Sequence, residues 1–169
     1  MTPILLALAA LQASPAADPA EARYRACLEL VRSAPARAIE SASGWRAEGG
    51  GLDARQCLGL AYVALERWPA AAATYEEAAR DAGADPRGAD LWVQAGNAWL
   101  AAGEPTRAVE AIDAAIAGGR LSDELRGEAH LDRARALVAL GNVAGARQDL
   151  DRALALVPAD PFAWYLSAA

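Results

Sequence analysis

Leu91-Trp92-Val93-Gln94-Ala95-Gly96-Asn97-Ala98-Trp99-Leu100-Ala101-Ala102-Gly103-Glu104-Pro105 carries one helix to its stop and opens a second. Gly96 and Trp99 stand three residues apart, on one helical face. Gly103 ends that helix and Pro105 begins the next, the usual asymmetry of helix ends. Ala108, Ile112 and Ala115 follow at steps of four and three, one face again. The same ruler falls on Gly59, Tyr62, Ala71, Tyr75 and Ala78, and on Ala134, Leu137, Ala146, Leu150 and Ala153. Its nine-residue gap spans a turn, so each set describes a helical hairpin. A hairpin with one apolar face cannot bury it alone and must stack on copies of itself. The predicted fold is all-α, a solenoid of stacked antiparallel helical hairpins.

Outward from these sets the units take shape. The first complete hairpin pairs helices over 52–66 and 69–82, the second 89–102 and 105–117, the third 122–140 and 143–157. The repeats occupy about 52–85, 89–122 and 127–160, with a partial unit over 161–169. Ser122 before Asp123-Glu124-Leu125 offers a helix cap. Upstream, 18–51 reads as a degenerate hairpin, with helices from about Ala20 to Arg32 and from Pro35 to Ala47. Its ruler falls on Ala26, Glu29, Ala38, Ala42 and Trp45. Glu29 fills a large apolar slot poorly, as expected of a terminal repeat.

Of the 169 residues 54% are hydrophobic, yet Phe and Met occur once each, so many thin helix contacts fit better than a broad core of large side chains. The net charge of −6 disfavours a nucleic-acid surface. Residues 1–17 hold an uncharged apolar run, Ile4 to Leu11, followed by small and polar residues. They are read as a secretory signal peptide, an apolar capping helix being the alternative. The run is too short to span a bilayer. The expected compartment is then the periplasm or another exported location, with the cytoplasm as the alternative. In an oxidising space Cys27 and Cys57, on the first helices of consecutive hairpins, could pair. Two small buried apolar residues are the other reading, and both stay open here. His130 stands without a ligand cluster, so no metal is expected, and no cofactor.

The stretch from Leu91 to Trp99 resembles the first helix of the tetratricopeptide repeat family, through Trp92, Ala95, Gly96 and Trp99. Gly103, Ala108 and Ala115 match its turn glycine and second-helix alanines. Leu58-Gly59, Tyr62, Ala71, Tyr75 and Ala78 match as well, as do Ala134, Gly141, Ala146, Ala153 and Pro158. The family's period is 34 residues, whereas Gly59 to Gly96 is 37 and Gly96 to Ala134 is 38. The surplus falls in Asp81–Gly88 and around Leu121–Arg126, where longer loops or helix extensions are expected.

The resemblance implies a right-handed superhelix whose first helices line a concave groove, and a role in binding a protein or an extended peptide. Carried over by position, the groove holds Asp53, Gln56, Leu60, Val63, Asp90, Val93, Asn97, Leu100, Glu128, Leu131, Arg135 and Val138. Asn97 is placed to bond a ligand backbone, since an amide donates and accepts at once. Apolar residues beside Asp53, Asp90 and Glu128 suggest an apolar or basic segment as the occupant. Trp92 and Trp99 fall on packing slots, and Trp45 and Trp68 at hairpin ends. Phe162, Trp164, Tyr165 and Leu166 are a candidate interface, including for self-association. No nucleophile elbow, phosphate loop or catalytic carboxylate pair emerges, so no catalytic residue is assigned and a non-catalytic scaffold is expected. Glu76-Glu77 and Asp149 with Asp151 read as solvated helix faces. The alternatives are a structural subunit or spacer of a cell-envelope assembly, and the regulatory repeat region of a larger enzyme.

Overall fold

A computed structural model describes residues 18–157. The signal-peptide segment 1–17, the close of the repeat at Pro158 and the candidate interface at Phe162, Trp164, Tyr165 and Leu166 lie outside the described residues. Among the described residues there are eight helices and no strand: α1 Pro19–Ser33, α2 Pro35–Ala47, α3 Gly51–Ala64, α4 Trp68–Asp81, α5 Arg87–Ala101, α6 Pro105–Ala117, α7 Asp123–Ala139 and α8 Val143–Leu156. They form four antiparallel hairpins stacked in chain order. Each helix packs on its neighbours in sequence, and α1 also meets α3, as α5 meets α7. The surplus residues of the long repeats sit in the connections 82–86 and 118–122, each longer than the 48–50 link between α2 and α3. No described helix is long and apolar enough to cross a membrane.

Local chemistry accounts for the helix ends. Ser122 Oγ accepts the Leu125 N–H at 3.2 Å, and Asn142 Oδ1 accepts that of Gly145 at 3.0 Å, so α7 and α8 start on side-chain caps. The α3–α4, α5–α6 and α7–α8 turns share one closure. The N–H groups of Arg67, Glu104 and Asn142 reach back to the carbonyls of Tyr62, Trp99 and Leu137, each at 2.9 Å. That closure needs a left-handed residue, supplied by Gly103 (φ 76°) and Gly141 (φ 74°). In the first of the three the same place is held by Glu66, at φ 55°.

Every ruler position of the three complete hairpins is buried or half-buried. The small-to-large pairing is the reason the helices fit. A Cβ at Gly59 would run into the ring of Tyr75, and one at Gly96 into Ile112. Burying one such large side chain contributes roughly 1.5–3 kcal/mol. Trp99 is fully inside, its Nε1–H donating to Glu76 Oε1 at 2.6 Å with the Arg107 guanidinium 3.3 Å above the ring. Trp92 is half-buried and Trp45 buried.

Three expectations are corrected. In the first hairpin Ala38, Ala42 and Trp45 are buried as the ruler requires, but Ala26 and Glu29 are exposed and Cys27 points inward. The cause is the link: Ala34 alone joins α1 to α2, where the other hairpins have three residues, so α1 arrives rotated about its axis. Glu76 is half-buried against Trp99, not on a solvated face. Asp149 is 1% exposed. It accepts Arg133 Nε at 2.6 Å and Nη2 at 2.7 Å, Arg152 Nη1 at 3.0 Å and a contact from His130 Nδ1 at 3.1 Å, while Arg133 also reaches Asp113. A buried carboxylate surrounded by donors in this way keeps its charge without water.

Cys27 on α1 and Cys57 on α3, both buried, are joined as a disulfide with Cα atoms 6.3 Å apart. Direct packing of α1 on α3 supplies that closeness.

Candidate functional site

Among the first helices of the hairpins, α1 packs on α3 and α5 on α7. Asn97, Leu100 and Ala101 of α5 and Arg135 of α7 line a hollow of about 340 Å³. Three of these residues were expected in the groove from position alone; Ala101 was not. Asn97 and Arg135 are exposed and Leu100 is half-buried. Arg135 leans on Asp132 at 3.2 Å, an exposed pair that holds weakly and leaves its other donors available. Val138, one turn beyond Arg135 on α7, is 60% exposed. The set combines an amide, a guanidinium and an aliphatic wall, which suits a backbone with apolar side chains.

Two expected groove residues belong to the core. Val93 and Leu131 are each 8% exposed. Val93 packs with Ile112, Leu121 and Ala129, and Leu131 with Ala134, Ala146 and Leu150. Stacking of the neighbouring helices consumes that position, so neither is offered to a ligand. Gln56, Leu60 and Val63 of α3 are half-buried and lie apart from the hollow's lining. Glu128 is exposed on α7.

Toward the start of the face the charge is largely settled within the chain. Arg87 pairs with Asp53, 34 residues earlier, and with Asp85 at 2.8 Å. Hydrogen bonds from the Arg87 side chain and backbone hold Asp85 below the ordinary carboxylate value, and the same bonds push Arg87 up. Asp90 accepts from Gln94 Nε2 at 2.7 Å. Tyr24 of α1 lies in reach of this group: burial raises its pKa first, and Asp53 raises it further. Arg87 and Tyr24 were missing from the sequence expectation. The Asp85-x-Arg87 spacing was a visible hint for one; α1's altered phase hid the other.

The comparisons agree with this architecture. Family models for the tetratricopeptide repeat match residues 58–124 and 127–169, together well over half of the chain. No curated protein sequence matches significantly. Among solved structures, a thermophilic TPR protein of Thermus thermophilus superposes with a TM-score of 0.65 at 24% identity, over 88% of this chain and 79% of that one. The MamA protein superposes with a TM-score of 0.65 at 20% identity, over 82% of this chain and 73% of that one. At these identities the likeness is one of fold. With its hairpins, its small-to-large ruler and these matches, the chain belongs to the tetratricopeptide repeat family, whose repeats mediate protein–protein interaction.

Proposed function

We propose that this protein docks an extended segment of another polypeptide across α5 and α7. The observation that carries the reading is the convergence of Asn97, Leu100, Ala101 and Arg135 on one hollow, with Val138 exposed one turn beyond Arg135. In this reading Asn97 pairs with a ligand peptide bond, Arg135 donates to a ligand carbonyl, and Leu100 with Val138 receives apolar side chains. The carboxylate of Asp90 on α5 favours basic ligand residues along that edge, while Asp53 contributes less, being tied to Arg87.

The test uses peptides selected from a displayed random library on the full chain. Asn97→Ala combined with Val138→Asp should weaken the selected peptides about tenfold or more, with helical circular dichroism unchanged. Equal affinity for wild type and variant removes the hollow from the account.

We also propose that the chain works in an exported, oxidising compartment. Residues 1–17 have the pattern of a secretory leader, and the Cys27–Cys57 pair is the kind of bond such compartments keep. Fractionation of cells producing a C-terminally tagged chain checks this; recovery with the cytosol overturns it.

A further inference from the structure

The first helix is attached to the stack differently from the others. α1 sends one side chain, Cys27, fully into the interior, whereas α3, α5 and α7 each bury at least five residues. Tyr24 and Val31 of α1 reach the core cluster only partly buried. Its phase is rotated by the single-residue link at Ala34, so it lacks the inward row that seats the later first helices. Its remaining holds include Arg23, which pairs with Glu48 at 2.7 Å and lies 5.3 Å from the Trp45 ring. Both ionic side chains are well exposed, and such pairs hold weakly. By contrast α2 keeps Ala38, Ala42 and Trp45 inside and packs on α3 in its own right. Among the described residues the strongest tie between α1 and α3 is covalent, the bond from Cys27 to Cys57.

We propose that this bond is a redox latch for α1: the oxidised chain carries α1 docked on α3, and reduction releases α1 while α2–α8 stay folded. The chemistry is thiol–disulfide exchange with a dithiol reductant. One reductant thiolate attacks one sulfur and displaces the other as a thiolate; the second reductant thiol then closes its own disulfide. Two electrons and two protons pass to the chain, leaving Cys27 and Cys57 as thiols. Both sulfurs are buried, so attack follows local opening of α1 and proceeds slowly. Release uncovers Cys57 and Leu58 of α3 and takes Tyr24 away from Asp53 and Asp90. The oxidation state thus sets whether the face of first helices begins at α1 or at α3. This proposal does not depend on what, if anything, docks at the hollow.

The bond spans 30 residues of sequence, but with α2 folded the loose chain of the opened state runs only from Cys27 to the start of α2 at Pro35, which corresponds to roughly two decades in the opening equilibrium it restrains. Hydrogen exchange read by mass spectrometry on the full chain tests the latch in three samples: untreated, fully reduced with dithiothreitol, and the C27A/C57A double variant. The latch requires no reactive thiol in the untreated chain and about a hundredfold or faster exchange across 19–33 in the other two samples. Protection in α4–α8 should be unchanged. Two reactive thiols without reductant overturn the proposal. So does full protection of 19–33 in the reduced chain or the variant, and so does loss of protection throughout α4–α8, which would make the bond a global stabiliser.

Discussion

Glu66 and Gly59 show how much depends on single side chains here. Glu66 holds a left-handed turn position that its counterparts fill with Gly103 and Gly141. An L residue with a Cβ pays for that conformation, so Glu66→Gly should stabilise the chain by about 0.5–1 kcal/mol. The readout is the urea midpoint at constant slope. Gly59 presents the opposite case. Its missing side chain is the space taken by the Tyr75 ring, and Gly59→Ala should cost roughly 1–3 kcal/mol by the same measurement. The ruler sets Gly59 and Tyr75 on the packing face from the sequence, and the structure shows Tyr75 filling the space left by Gly59. The left-handed turn at Glu66 could not be read from the sequence, because nothing about Glu itself marks it.

At the scale of elements, the α7–α8 hairpin carries a built-in response to acid. Burial holds the His130 imidazole below its ordinary value of 6.5, outweighing the opposing pull of Asp149, and Arg133 and Arg152 add to the lowering. Burial alone would raise Asp149, but hydrogen bonds and charge from Arg133, with His130 and Arg152, bring it below the ordinary 3.8. In both cases the folded chain binds fewer protons than the unfolded one as pH drops past the ordinary value. Stability should therefore be full above pH 6.5, decline as pH falls toward the lowered His130 value, and decline again below pH 3.8. Thermal melts over about pH 8 to 2 check both declines, and His130→Gln should flatten the upper one. Asp149→Ala should cost about 3 kcal/mol at neutral pH, since it leaves the largely enclosed Arg133 guanidinium with only the exposed Asp113 as its ionic partner. The sequence presents Asp149 beside Asp151 as an ordinary charged face. Its enclosure comes from the His130 and Arg133 side chains that α7 brings to it.

For the whole molecule, stacking separates residues that look equivalent along the chain. Val93, Asn97, Leu131 and Val138 all lie on first helices at groove positions. Two are sealed by neighbouring helices and two stay open. Leu131→Ala should lower stability by about 2–4 kcal/mol. Asn97→Ala should change it by less than about 0.5 kcal/mol, so a loss of binding in Asn97→Ala reports on the surface. Denaturant titration of both variants separates the two kinds of position.

The hairpins, their ends and the row of packing positions follow from the sequence by itself. Helical periodicity, turn glycines and capping prolines act over a few residues, so their meaning is carried in spacing. The phase of α1, the burial of Val93, Leu131 and Asp149, the Arg87–Asp53 pair and the hollow at Asn97 and Arg135 were decided by the tertiary structure. Each depends on which helix arrives from elsewhere in the chain and at what rotation. Neighbour packing fills or leaves open the same kind of position, and no local pattern encodes that choice.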